Sequence, residues 1–164
     1  MASSESTVLA SEICNEISSV FSKSTSKPAA LDVMVEEIAA AATKKSRIFV
    51  YGVGREGLML KALCMRGFST VDAICGVARS SGARVLLLTA QPHSGSSLEF
   101  ASAVAYIPAQ TMADDQREES RALLPMGSLY EAAMFVLFEM VVYKLGQVLG
   151  QSPEAVRARH TNLE

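Results

Sequence analysis

The chain contains no tryptophan, two histidines and three cysteines among its 164 residues. Two histidines as far apart as His93 and His160 make no metal-binding motif. Cys14, Cys64 and Cys75 form neither a Cys-x-x-Cys pair nor an even set, which removes a disulfide framework. With Cys64 and Cys75 set among apolar neighbours, all three read as reduced, mostly packing cysteines of an intracellular protein. A basic excess is also missing. Fifteen Lys and Arg face seventeen Asp and Glu, the net charge is −2 and the pI is about 5.7, so neither nucleic acid nor an anionic membrane surface is an expected partner. No apolar run is long enough for a bilayer. The richest, 132–143, is interrupted by Glu139 and followed by Lys144. The start, MASSESTVLASEICNEISSVFSKSTSK, is Ser-rich as organelle transit peptides are, but it carries Glu5, Glu12 and Glu16 and has no arginine before Arg47, which favours a structural amphipathic helix. A soluble, cytoplasmic protein is expected.

What is present suits one domain over 1–164, since 49% hydrophobic and 20% charged residues can build a core and argue against general disorder. Helices fill the N-terminal part, 1–45. In the first, Ser6–Lys23, Leu9, Ile13, Ile17, Val20 and Phe21 share one face; the second starts at Pro28 as its first residue and turns Leu31, Met34, Val35, Ile38 and Ala42 inward. A sheet core follows over 46–108. RIFVY (47–51) and VLLLT (85–89) are compact apolar runs that read as buried strands, and AVAYIP (103–108) as a third. Between the first two lie two successive helices with no strand between them, one after YGVGREG up to about Arg66, the other from about Ser69 to Gly82 with Ser69 and Asp72 as a capping pair. A short helix is expected near 97–102 and a polar surface loop over 109–122. The remaining part, 123–164, holds one long helix, 125–149, apolar on nearly every side, and a short last helix opened by Ser152 and Pro153. A helix apolar all round is expected to be buried all round, one face against another subunit.

Three stretches carry candidate chemistry. YGVGREG satisfies Gly-x-Gly-x-x-Gly between a strand and a helix. The acid at the spacing of a ribose ligand, Asp72, stands near a helix start and not at a strand end, so a dinucleotide site does not follow. A helix N-terminus receiving an anion such as a sugar phosphate fits better, beside the plain reading of a joining turn. In LLPMGSLYEAAMF, Glu131 enters the first turns of a very apolar helix, where a carboxylate is paired, exposed or a general base; a simple favourable acid at a helix N-terminus is the plain alternative. Glu139 poses the same question with a stronger case for a rim position. The terminal RHTNLE holds His160, most simply solvated, and His93 lies in the loop after a strand's C-terminal end, where open α/β sheets bind ligands.

Together, IFVYGVGREGLMLKALCMR, VLLLTAQPHSGSSLEFASAVAYIPA, PMGSLYEAAMF and RHTNLE resemble the SIS (sugar isomerase) domain family and, within it, the 6-phospho-3-hexuloisomerases, over nearly the whole chain from about Ala30. The resemblance implies an α/β three-layer sandwich, a parallel sheet flanked by helices. It implies isomerisation of a hexulose phosphate to fructose 6-phosphate through an enediolate, without a cofactor or metal. Glu131 would be the base and His160 would assist ring opening or proton transfer, at a site shared with a neighbouring subunit. Gly52, Gly54, Arg55 and Thr89 would line the sugar pocket with Ser128, and Ser69 and Thr70 would mark what remains of a phosphate site. The partners implied are a phosphorylated sugar and further copies of the chain, a dimer or tetramer through the long C-terminal helix.

The chain also departs from that family. There the helix carrying LCMR leads into a strand, a connection, another strand and a Ser-Gly-Ser-Gly-Glu-Thr phosphate loop. Here Arg66 runs straight into Gly67. A piece on the order of thirty residues, about one βαβ unit, is absent, so a shortened sheet is expected. Glu56 stands where the family commonly has a serine, and its carboxylate would repel a phosphate. Three readings follow: an isomerase with impaired activity, a non-catalytic module that binds a phosphosugar or regulates a partner, and a shortened product with no stable function.

Overall fold

The computed structural model describes residues 2–51, 68–111, 123–124, 127–152 and 154, with side chains from residue 5 onward except those of 68–70. Its elements run in the order α1 (Ala2–Ser22), α2 (Ala30–Thr43), α3 (Phe68–Ser80), β1 (Leu86–Thr89), a 3₁₀ turn (Ser96–Phe100), β2 (Ala103–Tyr106) and α4 (Ser128–Val148). The protein is mixed α/β with a short parallel sheet, in keeping with a shortened sandwich.

The sheet pairs Leu86 with Ala103, Leu87 with Val104, Leu88 with Ala105 and Thr89 with Tyr106. A parallel pair needs a crossover of about a dozen residues, and residues 90–102 supply it through the 3₁₀ turn. Ser102 fixes the near end. Its Oγ accepts from the Val85 amide at 3.1 Å and from the Arg79 guanidinium at 3.0 Å, while its own amide donates to the Val85 carbonyl at 2.8 Å. At the far end the Ile107 amide donates to the Thr89 carbonyl at 3.0 Å, carrying the ladder one bond past β2.

One hydrophobic cluster joins α1, α2, the sheet and α4, while α3 packs against the 3₁₀ turn. Val20 of α1, Met34 and Val35 of α2, Ala105 and Ile107 of and beyond β2, and Leu129, Ala133, Met134, Leu137 and Val141 of α4 are all buried in the cluster. Ile17, Leu31, Ile38, Leu86 and Leu88 pack against its edge. The inward face expected of α1 is only partly realised, because Leu9 and Phe21 stay exposed while Ile13, Ile17 and Val20 are covered. In α3, Cys75 is buried and Ile74 is not.

Two expectations need correction. α2 begins at Ala30 and not at Pro28: Ala29 is extended (φ −60°, ψ 136°), and its carbonyl accepts the first bonds from Asp32 and Val33. Pro28 therefore precedes the cap and stiffens the approach to the helix.

RIFVY forms no strand. Ile48, Phe49 and Val50 are 51%, 84% and 50% exposed, and the sheet among the described residues contains β1 and β2 alone. Apolar content marks such a run for burial, but a strand exists only through a ladder partner.

Within one copy, the long helix is buried along one face. Leu129, Tyr130, Ala133, Met134, Leu137 and Val141 face the core, while Phe135, Val136, Val142 and Tyr143 face outward. The single chain has core enough for one face only. The short helix expected near 97–102 is the 3₁₀ turn, and the last helix is described only at Glu154, which is helical. The glycine turn YGVGREG with its helix and most of the 109–122 loop lie outside the described residues.

Candidate functional site

The C-terminal end of a parallel sheet is the part of an α/β fold most suited to a ligand, because the strands stop there and the loops spread. In this chain that end is organised by β1. Thr89 is its last residue, and the Thr89 Oγ1 accepts a 2.9 Å hydrogen bond from the Gln91 amide, a turn in which the side chain replaces a carbonyl. The Gln91 carboxamide donates through Nε2 to the Thr111 Oγ1 at 3.3 Å, joining the loop after β1 to the segment after β2. The Gln91 carbonyl accepts from the Gly95 amide at 3.3 Å and closes the loop over Pro92, His93 and Ser94. A Cβ at Gly95 would lie 3.4 Å from that carbonyl oxygen, an ordinary contact, so the closure of the loop does not depend on glycine there. Thr89, Gln91 and Thr111 are half-buried, and His93 and Ser94 are exposed at the rim.

Two further candidate residues, Ser128 and Glu131, stand at the start of α4. Gly127 adopts φ 76°, ψ 3°, a left-handed conformation that glycine reaches without a Cβ penalty. Its carbonyl accepts from the Glu131 amide at 3.1 Å, the first rung of the helix. Ser128 opens α4, and Glu131 stands in its first turn, half-buried, between the core residues Tyr130 and Ala133. A carboxylate there is favoured by the helix dipole. Leu129, Tyr130 and Ala133 belong to the same hydrophobic cluster as Ile107 and Ala109, so the start of α4 and the chain leaving β2 share one core.

Of the other residues singled out from the sequence, Ser69 and Thr70 lie in the first turn of α3, with side chains outside the described residues. Gly52, Gly54, Arg55 and His160 also fall outside them. Among the described residues, no group of three or more His, Cys, Asp or Glu side chains could hold a metal ion.

Two polar arrangements escaped the sequence reading. One is the Gln91–Thr111 bridge, whose only trace is a glutamine two residues past a strand end. The other joins α3 to the 3₁₀ turn, where Ser97 donates to the Asp72 carboxylate. That bond, with a second from Ser96, holds the Asp72 carboxyl below its ordinary range. Asp72 thus serves the crossover connection. Burial pushes the neighbouring Cys75 thiol up, with the Asp72 charge acting in the same direction, so Cys75 is an inert packing residue.

No protein-family model matches the chain. Among the described residues no helix is long and apolar enough to cross a membrane. The chain is 28% identical over 174 residues to an uncharacterized protein of Aeropyrum pernix, covering 82% of each. It is 26% identical over 175 residues to one of Methanothermobacter thermautotrophicus, covering 83% of this chain and 86% of that protein. To a Mycobacterium gastri protein named 3-hexulose-6-phosphate isomerase it is 29% identical over 190 residues, covering 96% of this chain and 94% of that protein. Over nearly its whole length, then, the chain is similar to a protein named as a phosphosugar isomerase.

Proposed function

We propose that this protein is an SIS-like phosphosugar protein that binds a hexulose 6-phosphate at the C-terminal end of its sheet and retains the residues for its isomerisation. The observation that carries the reading is the similarity to the 3-hexulose-6-phosphate isomerase over 96% of the chain, with no large part left unmatched. The chemistry assigned to the chain's own residues is a proton transfer. Glu131 removes the proton from C2 of the 3-ketose, and the electron pair moves into an enediolate spanning C2 and C3. The proton returns to C3, the O2 proton passes to O3, and the carbonyl stands at C2, the product being fructose 6-phosphate. No atoms are gained or lost and no redox partner is required. Thr89 and Ser128 bind sugar hydroxyls, with Gly52, Gly54 and Arg55 completing the pocket. His160 assists ring opening, and Ser69 and Thr70, at the start of α3, offer the phosphate a helix N-terminus.

A second reading, a phosphosugar-binding module with little or no turnover, is favoured by a separate observation. The match to the isomerase runs over 190 aligned positions, while 96% of 164 residues is about 157, so about 33 positions face no residue of this chain. That shortfall supports a missing strand-connection-strand piece after Arg66, and the unpaired Ile48–Val50 run supports it from the structural side. The lost piece carries the family's phosphate loop. Binding energy from the remote phosphate is what holds a substrate within about 3 Å of its base.

The experiment that separates the readings is a thermal melt of the full chain with and without fructose 6-phosphate, followed by an isomerisation assay. A ligand that binds the folded state alone raises the melting temperature as its concentration passes Kd. A shift with turnover that falls at least 100-fold in Glu131→Gln supports the isomerase. A shift without turnover supports the binding module. A cooperative melt that the sugar phosphate does not move would reject both.

A further inference from the structure

Gln91 engages the protein through both its backbone and its side chain. Its amide donates to Thr89 Oγ1, its carbonyl accepts from Gly95, and its Nε2 donates to Thr111 Oγ1. The Ser94 hydroxyl also lies 3.5 Å from its Oε1. One half-buried side chain thus bridges the segments leaving the two parallel strands, across twenty residues of sequence.

The consequence falls on Thr89. Accepting from the Gln91 amide uses a lone pair of the hydroxyl oxygen and not its hydrogen. The Oγ1 is thereby fixed at the strand end, and its O–H is directed away from the Gln91 amide. We infer that Gln91 is a positioning residue for the sugar: by bridging to Thr111 it holds the loop that orients the Thr89 hydroxyl to donate to a sugar oxygen. This inference rests on the phosphosugar reading above and deepens it by naming what sets the geometry of the Thr89 contact. Gln91 acts through Thr89 and not by touching the reacting carbons.

A residue that merely holds the fold together would affect stability first, and the test is built to see the difference. Fructose 6-phosphate is titrated calorimetrically into the full chain and into Gln91→Leu, Thr111→Val, the double variant, and the conservative Thr111→Ser. Arg84→Met serves as a stability control at the opposite end of β1. The expected result is Kd about tenfold weaker for Gln91→Leu and for Thr111→Val, the size of one lost hydrogen-bonding arrangement. The double variant should be no weaker than the worse single one, because both cut one bridge. Thr111→Ser should bind like the parent, and Arg84→Met should melt lower with Kd unchanged. Parent-like Kd in Gln91→Leu would overturn the positioning role while leaving the phosphosugar reading intact. Additive losses in the double variant would overturn the bridge as its cause, and if Gln91→Leu does not fold, Thr111→Val decides alone. A folded parent that binds no fructose 6-phosphate would overturn the phosphosugar reading and this inference with it.

Discussion

Lys45 stands at φ 52° among helix ends that otherwise use glycine there. Three helices finish with the same pair of bonds. After α3, Ala83 donates to Ala78 and Gly82 to Arg79; after α4, Gln151 donates to Gly146 and Gly150 to Gln147; after α2, Ser46 donates to Ala41 and Lys45 to Ala42. Each is a Schellman motif, whose pivotal residue is left-handed. Gly82 and Gly150 take that conformation without a Cβ in the way, whereas Lys45 carries one. Lys45→Gly is therefore expected to stabilise the protein by about 1 kcal/mol, despite the added freedom of the unfolded chain. Urea unfolding reads this directly, and an unchanged or lower midpoint would contradict it. A second residue-scale expectation concerns Glu37 on α2, whose carboxylate takes two bonds from Arg84 at 2.8 and 2.5 Å. The Arg84 hydrogen bonds, with the charges of Arg84 and Lys44 behind them, hold the Glu37 carboxyl below its ordinary value against the opposing push of burial. A lowered folded value means the stabilisation is present above the unfolded carboxyl's pKa and is lost as pH falls through the folded one. Arg84→Met should thus lower the melting temperature by about 2 °C at pH 7, as expected for a partly exposed pair. The gap to the parent should close as the pH drops below about 4. A gap independent of pH would show that Arg84 acts by packing alone.

At the scale of elements, the segment 47–51 tests what an apolar run means. Phe49 is 84% exposed. Phe49→Ser should then leave unfolding stability within about 0.5 kcal/mol of the parent, as for a surface site. A loss of several kcal/mol would mean that the run finds a ladder in solution. This segment also marks the limit of what could be read in the sequence. α1, α2, α3, β1, β2 and α4 were legible because each carries its own periodicity, its own caps, or a run bounded by turn residues. RIFVY has the same local signature as VLLLT, and the two differ only in whether another strand lies alongside, which no local pattern encodes. The start of α2 was misread for a related reason, since Pro28 suits the first helical residue and the position before the cap about equally well. At the site, the strand-end position of Thr89 and the helix-start position of Glu131 followed from local signals. The Gln91–Thr111 bridge did not, because it joins residues whose proximity depends on the parallel register of β1 and β2.

At the scale of the whole molecule, α4 presents two apolar faces to one core. Leu137 is fully buried on the inner face, while Phe135, Val142 and Tyr143 are 55%, 63% and 70% exposed on the outer one. These three lie along one side of the helix, with Val136 beside them and Glu139 among them as the charged exception. Isolated exposed apolar residues are ordinary, but a contiguous stripe along 21 helical residues invites cover. The stripe supports the reading that a second copy packs against α4, with the stripes of two copies meeting about a two-fold axis as in most homodimers. Light scattering coupled to size exclusion should then give a mass at least twice the 17.5 kDa of the chain. Paired Val142→Glu and Tyr143→Glu changes should halve it, by placing like charges opposite one another at the centre of the contact. Such changes alter exposed positions, so the monomer they release should keep its helical circular dichroism. A parent that already runs at 17.5 kDa across the micromolar range would remove the dimer. It would also leave the outer face of α4 as surface that the single chain tolerates.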